Sequence, residues 1–197
     1  LDEPYLDIGF AAIIRKRVGW LCVLFAGSLL TATVIARFES ALDRAVVLTL
    51  FIPLIISSGG NSGSQATSLI IRAMALGEVT LKDWWRVARR ELASGLVLGL
   101  VLGLLGFARI VVWDSMGWAP EPDGYAYPVR LGLTIGGALL GVVTFGSLTG
   151  SMLPFVLRRL GLDPASASAP FVATLVDVTG LVIYFTVAVL LLGGYLL

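Results

Sequence analysis

The sequence predicts an all-α integral membrane protein with five membrane-spanning helices in each subunit. Of its 197 residues, 57% are hydrophobic, and the mean hydropathy is +0.94. Only 14% are charged, whereas charged residues make up about a quarter of a soluble domain. The apolar residues also fall into segments that reach the roughly 20 residues a helical crossing needs. Composition and segment length therefore predict the same fold class.

The predicted spans follow the hydrophobic runs of the chain. They cover residues 18–36, 44–76, 91–112, 129–157 and 166–196. Residues 1–16 are predicted to form an amphipathic lead-in helix at the cytosolic interface, and residues 17–197 form the membrane domain. Trp20 follows a basic cluster, as expected for an aromatic anchor near the headgroups.

The second span carries a stretch of Gly, Ser, Asn and Gln after Pro53. Proline and three glycines in this stretch predict a kinked or broken helix over Ser57–Ser64. Backbone that leaves the helix at membrane depth persists only where it is buried in protein or lines a wet cavity. We therefore expect it to line an ion pathway. The candidate lining residues are Pro53, Ser57, Gly59, Gly60, Asn61 and Gln65. The two amides could satisfy the interrupted backbone or contact an ion.

Glycines in the third and fourth spans predict close helix packing. In the third span they recur at every fourth position and so share one face, where another helix can approach closely. The fourth span is rich in small residues and is expected to be the central packing helix. The candidate packing residues are Gly95, Gly99, Gly103, Gly132, Gly136 and Gly141.

Asp177 lies near the middle of the otherwise uncharged last span. A carboxylate at the bilayer centre costs about 2.5–3.5 kcal/mol, so such residues usually face a cavity, an ion or a partner. A buried pair with Arg72 or Arg109 is the alternative, although both arginines lie near span ends. Helical spacing places Ala173, Thr174, Gly180 and Tyr184 on the same side as Asp177.

A hard cation such as Mg²⁺ prefers oxygen ligands and keeps much of its water, so a carboxylate with few other ligands suits it. One carboxylate per chain is a small ligand set. A two-fold dimer, the commonest closed assembly, would bring a second Asp177 to the axis.

Several function classes lack the residues they need. The chain has no His and a single cysteine, Cys22, so Cys/His zinc sites, intrachain disulfides and Ser-His catalysis are excluded. Aspartyl proteolysis within the membrane needs two carboxylates, and no phosphate-binding loop is present. We therefore expect no enzyme. The net charge of +1 says little about partners, and no nucleic-acid partner is expected.

The distribution of Lys and Arg predicts the orientation. Most of the 14 Lys and Arg residues fall on one side of the spans, and only Arg37, Arg44, Arg109 and Arg130 on the other. Because cations near span ends stay cytosolic, the amino terminus is predicted inside and the carboxyl terminus outside, in the cell (inner or plasma) membrane.

Two long motifs resemble the transmembrane domain of the MgtE family of magnesium channels, which is related to the solute-carrier magnesium transporters of animals. One is Pro53 with the stretch from Ser58 to Thr67 and Ile71-Arg-Ala73; the other runs from Pro170 to Phe185. The resemblance implies a homodimer of five-helix subunits with a pore lined mainly by the second and fifth spans. Family members usually also carry a cytosolic amino-terminal region and CBS domains, which these residues do not include.

The resemblance further implies that Asp177 holds a largely hydrated Mg²⁺, with the Ala173 backbone beside it. Pro170, Thr174 and Gly180 would support the pore on the fifth span. We expect passive, magnesium-selective uptake driven by the membrane potential, with Mn²⁺, Ca²⁺ and Co²⁺ left open. A carrier that couples Mg²⁺ to Na⁺ or H⁺ is the alternative in transport. A non-conducting assembly subunit is an alternative from another class.

Overall fold

In a computed structural model of the chain, which describes residues 9–39, 46–119 and 125–193, every element is helical. The long helices are α1 (Phe10–Arg37), α2 (Ile52–Ala75), α3 (Trp84–Ser115), α4 (Pro128–Arg159) and α5 (Pro164–Leu192). Short 3-10 turns at Val46–Phe51 and Leu81–Asp83 precede α2 and α3. All five long helices are long and apolar enough to cross a membrane. The predicted fold class, five membrane-spanning helices, is confirmed.

Helix α4 lies at the centre of the bundle and packs against α2, α3 and α5. The prediction of a central fourth helix is thus confirmed. Its core positions, among them Ile135, Ala138 and Val142, are completely buried. Its small residues explain the position, because helices in lipid associate by close van der Waals packing. By contrast, α1 packs mainly against α5 and exposes most of its apolar side chains.

Glycines bring α3 and α4 into backbone contact. A Cβ atom added to Gly99 would lie 2.8 Å from the Leu140 carbonyl oxygen, and one added to Gly103 would lie 2.7 Å from the Gly136 carbonyl oxygen. The other glycines named from the sequence also lie at tight contacts: Gly95 against Thr144, Gly132 against Phe107, Gly136 against Gly103 and Gly141 against Ile183 of α5. At Gly95, Gly99, Gly103 and Gly136 the added atom would meet backbone, so a larger side chain there would push the helices apart. At Gly132 and Gly141 it would meet a side chain, which would have to shift.

The α2–α4 contact combines glycines with buried hydroxyl groups. A Cβ on Gly146 would collide with the Gly59 carbonyl oxygen, and one on Gly150 with the Gly63 carbonyl oxygen. Between these crossings, the Ser62 and Ser147 hydroxyl oxygens lie 2.7 Å apart. The Thr67 hydroxyl lies 2.8 Å from the carbonyl oxygens of Gly63 and Gly150. These two helices therefore meet at backbone distance over several turns.

The predicted break in the second span is wrong. Helix α2 continues without interruption from Ile52 to Ala75. Pro53 lies in its first turn, where a proline removes no helical hydrogen bond, and the change of geometry falls before it, in the 3-10 turn Val46–Phe51. The small residues of the stretch serve packing: Gly59 and Gly63 fit against α4, and the Ser58 hydroxyl donates to the Leu54 carbonyl of its own helix.

The predicted lead-in helix and first span meet inside α1. This helix runs continuously from Phe10 to Arg37, so the boundary placed at residue 16 falls within it. Residues 1–8 of the lead-in lie outside the described residues. Helices α3 and α4 extend beyond the predicted spans at both ends; α3, for example, begins at Trp84 and ends at Ser115. Helix α2, by contrast, lies within the predicted span 44–76.

Candidate functional site

Asp177 lies in the middle of α5 and is half-buried. Within the described parts of the chain, no hydrogen bond or ion pair joins its carboxylate to another residue. The alternative raised by the sequence, a buried pair with Arg72 or Arg109, is therefore not formed. An unpaired carboxylate at this depth is costly unless an ion, water or a partner meets it.

The packing of α5 against α2 fixes the level of Asp177. A Cβ on Gly59 would lie 2.8 Å from Cγ1 of Val176, and one on Gly63 would lie 2.6 Å from Cγ1 of Val172. In these two contacts the residue number rises along α2 and falls along α5, so the two helices are antiparallel. Asp177 is thus level with Gly59, in the first half of α2.

A polar stripe runs along the exposed side of α2. Four residues of α2 lie at intervals of four and are all exposed: Pro53, Ser57, Asn61 and Gln65. This spacing places them on one face of the helix. The Asn61 amide donates to the Ser57 hydroxyl over 3.4 Å. We define the polar stripe as the residues on this side of α2 whose side chains can form hydrogen bonds. They are Ser57, Asn61, Ser64, Gln65 and Ser68.

The polar stripe borders an open space of about 610 Å³ that residues of α2 line, and we call this space the groove. Its lining residues are Asn61, Ser64, Gln65, Ser68 and Leu69. By the register between α2 and α5, this groove lies between the level of Asp177 and the Ala75 end of α2. Amides and hydroxyls exposed at membrane depth are unfavourable against lipid, so this face is suited to water or to another polar surface.

The predicted site residues of α5 separate into different environments. The γ-methyl group of Thr174 faces Gly27 of α1, and its hydroxyl donates to the Pro170 carbonyl of its own helix. Gly180 is buried against Val142 of α4. Ala173 is half-buried one turn before Asp177. The structure therefore does not gather Thr174 and Gly180 around an opening beside Asp177.

The predicted residues of α2 also divide into two groups. Gly59 is buried in the contact with α4 and α5, whereas Gly60 has no neighbour within 4 Å of where its Cβ would lie. The sequence reasoning missed Ser64 and Ser68. Their spacing of three and seven residues from Asn61 could have identified them as members of the same face.

The metal-binding capacity of one chain is small. Within residues 9–39, 46–119 and 125–193, no group of three or more His, Cys, Asp or Glu side chains could hold a metal ion. A single carboxylate with nearby amides and hydroxyls is an oxygen-only set, the kind that hard cations prefer. Such a set can hold an ion that keeps most of its water, but it does not replace a full hydration shell.

Comparison with known proteins gives consistent matches. The sequence model of the MgtE family, described as a divalent cation transporter, matches residues 52–187. The magnesium transporter MgtE of Thermus thermophilus is 42% identical over 191 residues, which cover 97% of this chain and 40% of that protein. The magnesium transporter MgtE of Enterococcus faecalis is 35% identical over 173 residues, 88% of this chain and 36% of that protein.

A third relative, the magnesium transporter MgtE of Bacillus subtilis, is 30% identical over 173 residues. The chain spans about 40% or less of the length of these relatives. The family match covers both α2, with its polar stripe, and the part of α5 that carries Asp177. The chain belongs to the MgtE family of divalent cation transporters.

Proposed function

We propose that the chain forms the pore of a magnesium-selective divalent cation channel and that Asp177 is its ion-binding carboxylate. The observation that carries the proposal is the Asp177 carboxylate in the middle of α5, which pairs with no group in the described parts of the chain. A charge in a span is costly and usually marks an ion pathway. The polar stripe of α2, which lines an open groove next to this level, supplies the continuation of such a pathway.

The ion is proposed to pass Asp177 with most of its hydration shell in place. Mg²⁺ gives up water reluctantly and is often held by one or two carboxylates plus retained waters. Asp177 would attract the ion, and the Ala173 backbone would lie beside it. The amide oxygens of Asn61 and Gln65 would accept hydrogen bonds from ion-bound water along the groove.

A homodimer is proposed because one chain offers half of a closed pathway. On a single chain, both the polar stripe and the groove beside it are open, and lipid would be an unfavourable cover for them. A second copy related by a two-fold axis would cover the stripe and bring a second Asp177 to the axis. Two carboxylates facing a hydrated divalent cation would balance its charge.

Magnesium is proposed as the transported ion because the relatives described above are named magnesium transporters. Oxygen ligands alone do not separate Mg²⁺ from Mn²⁺, Ca²⁺ or Co²⁺, since selectivity depends on site size and hydration geometry. The cations of the chain support an orientation with the amino terminus in the cytosol and the carboxyl terminus outside. Arg15, Arg86 and Arg158 lie on the proposed cytosolic side.

The membrane potential is sufficient to drive uptake. Moving two charges through 100 mV releases about 4.6 kcal/mol at ~2.3 kcal/mol per charge. The proposed channel therefore needs neither ATP nor a second ion. A carrier that couples Mg²⁺ to Na⁺ or H⁺ would instead need their gradients.

A flux assay in liposomes tests the proposal. The purified chain is reconstituted, a potassium diffusion potential is imposed, and Mg²⁺ uptake is followed with a trapped indicator, with and without a Na⁺ or H⁺ gradient at the same voltage. The channel predicts uptake that follows the voltage and ignores both gradients. Uptake that requires either gradient would favour the coupled carrier. No uptake of any divalent cation under these conditions would favour a non-conducting assembly subunit.

A further inference from the structure

Arg109 is a cation in the last two turns of α3, where it stacks on a tryptophan. Its guanidinium carbon lies 3.4 Å from the centre of the Trp113 ring, one helical turn further along. This distance is within the range of a cation–π interaction. The side chain is half-buried. Trp113 therefore covers one face of the guanidinium and holds it in a fixed plane.

Among the residues that the structure describes, none gives the Arg109 guanidinium an anionic or carbonyl partner. Its Nη1 atom is buried without a hydrogen-bond acceptor, and no acceptor in the described parts of the chain receives any of its N–H groups. An arginine carries five N–H donors and stays charged. A partly desolvated cation without an anion is unfavourable, so this side chain is suited to receive an anion from beyond the described residues.

The position of Arg109 corresponds to a membrane interface. It lies six residues before Ser115, the end of α3, which corresponds to about 9 Å along the helix. Trp113 also contacts Trp118 edge to face, with ring centres 5.5 Å apart, and Trp118 is exposed. Tryptophans gather at the level of the lipid headgroups. The guanidinium on Trp113 is thus near the depth of lipid phosphates.

An apolar surface continues from Arg109 toward the membrane centre. Leu105 lies one turn before it and Leu98 three turns before it on the same helix face, and both are exposed. A cation beside tryptophans, followed by exposed leucines, matches the two parts of a phospholipid: an anionic phosphate and an acyl chain.

We propose that Arg109 and Trp113 bind the phosphate of a phospholipid in the leaflet that contains the end of α3, with an acyl chain along Leu105 and Leu98. Planar guanidinium groups bind phosphate oxygens in pairs of parallel hydrogen bonds. Stacking on Trp113 covers one face of the guanidinium. Because Nη1 is buried, the phosphate would meet the remaining N–H groups. The bound lipid would fix the end of α3 relative to the membrane, at a place distinct from Asp177.

Native mass spectrometry of the full chain in detergent tests the site. The protein is incubated with phosphatidylglycerol, phosphatidylethanolamine, diacylglycerol or inorganic phosphate. We expect retention of both phospholipids, weak retention of diacylglycerol, and no displacement of lipid by inorganic phosphate. Retention of diacylglycerol equal to that of the phospholipids would overturn the proposal, because the phosphate would then contribute nothing. Displacement by inorganic phosphate alone would show a free-phosphate site instead and would also overturn it.

Variants assign the lipid to Arg109. Arg109→Gln should retain roughly fivefold less phosphatidylglycerol, the factor expected when one cation near anionic lipid is removed, and Trp113→Leu should also reduce retention. Arg130→Gln removes the same charge from an exposed arginine that donates to the Leu191 carbonyl, and it should retain lipid like the parent chain. Equal retention by Arg109→Gln and the parent would overturn the proposal.

A second variant covers the case in which Arg109→Gln does not fold. Arg109→Lys keeps the charge but loses the planar stack, so it should fold and retain an intermediate amount of lipid. The acids Glu121 and Asp123, which follow α3 in the sequence, provide a further comparison. The result to look for is that Glu121→Gln or Asp123→Asn lowers the melting temperature in the parent chain but not in a chain that also carries Arg109→Gln. That result would show that Arg109 pairs with an acid of the chain itself, and it would overturn the lipid site.

Discussion

The Tyr184 hydroxyl donates a 2.8 Å hydrogen bond to the carbonyl oxygen of Leu48. Both residues are completely buried. The bond joins the second half of α5 to the 3-10 turn Val46–Phe51 that leads into α2. It therefore connects the helix that carries Asp177 with the helix that carries the polar stripe.

Tyr184→Phe should lower the stability of the fold. The substitution removes a buried hydrogen bond and leaves the Leu48 carbonyl with one acceptor position unused, at a cost of about 1 kcal/mol. Thermal unfolding in detergent measures the effect. Thr186→Val is the control, since the Thr186 hydroxyl is exposed and bonds only to the Val182 carbonyl of its own helix; it should change stability by less than ~0.5 kcal/mol. Equal effects of the two substitutions would contradict the importance of the bond.

Gly150→Ala should destabilise the α2–α4 contact. The added methyl group would collide with the Gly63 carbonyl oxygen, which is backbone and cannot move without separating the helices. Overpacking of this kind typically costs about 1–3 kcal/mol. Gly19→Ala in α1 is the matched control, because nothing lies within 4 Å of its added methyl group.

At Gly19 the change to alanine should be neutral or stabilising, since alanine favours the helix by about 1 kcal/mol over glycine. The melting temperatures of the two variants in the same detergent provide the comparison. If Gly150→Ala melts as high as Gly19→Ala, the two helices do not meet at backbone distance.

Ser62 and Ser147 should show a small, measurable coupling. Their hydroxyl oxygens lie 2.7 Å apart in the buried α2–α4 contact. Hydrogen bonds between helices in a membrane contribute about 0.6 kcal/mol on average in double-mutant cycles. Ser62→Ala, Ser147→Ala and the double variant complete such a cycle by thermal unfolding. Strictly additive effects would mean that the two hydroxyls do not interact.

The fold was largely predictable because hydropathy reports burial in a membrane directly. The five spans follow from runs of apolar residues, and the glycine periodicity correctly indicated tight contacts for α3 and α4. The sequence could not identify the partner of each glycine. Gly103 meets Gly136, whereas Gly146 and Gly150 meet Gly59 and Gly63, and these pairings depend on how the whole bundle assembles.

The error at the second span has a physical cause. Glycine and serine weaken an isolated helix, and this property predicted a break after Pro53. In the folded chain the same residues stabilise α2, because Gly59 and Gly63 allow close approach to α4 and Ser58 bonds back to Leu54. Tertiary packing thus overrides local helix propensity here.

Asp177 could be identified from sequence because a lone charge in a span is a strong signal. Its surroundings could not. Thr174 shares an approximate helix face with Asp177, yet it contacts Gly27 of α1. The position of α1 is not encoded in the spacing of residues along α5. The Arg109–Trp113 stack, at a spacing of four residues, could have been predicted from the sequence.

Gln65→Leu should reduce divalent cation flux without changing the preference among ions. Gln65 is exposed in the polar stripe and lines the groove, so an apolar replacement removes hydrogen-bonding groups along the proposed path. Asp177, which attracts the ion, is unchanged. Uptake of Mg²⁺ and Ca²⁺ by reconstituted protein gives both the rate and the ratio. Leu96→Ala, on the exposed apolar face of α3, is the control and should leave both unchanged.

A changed ratio of Mg²⁺ to Ca²⁺ uptake in Gln65→Leu would assign selectivity to the polar stripe instead of Asp177. Unchanged uptake would place the path away from the groove. The first result would move the selectivity determinant to α2, and the second would require a different route through the protein.

The central claim is that the Asp177 carboxylate binds the permeating ion. Asp177→Asn keeps the shape of the side chain and removes its charge, so voltage-driven Mg²⁺ flux in liposomes should fall by roughly tenfold or more, a barrier change of at least about 1.4 kcal/mol. Asp177→Glu should keep part of the flux. Glu78→Gln, which removes an exposed charge beyond the end of α2, should keep all of it.

Flux is compared only for variants whose mass in detergent matches that of the parent assembly, so that a loss cannot reflect failed association. Asp177→Asn is expected to assemble normally and to conduct poorly. An Asp177→Asn protein that assembles normally and conducts Mg²⁺ within about twofold of the parent rate would contradict the central claim.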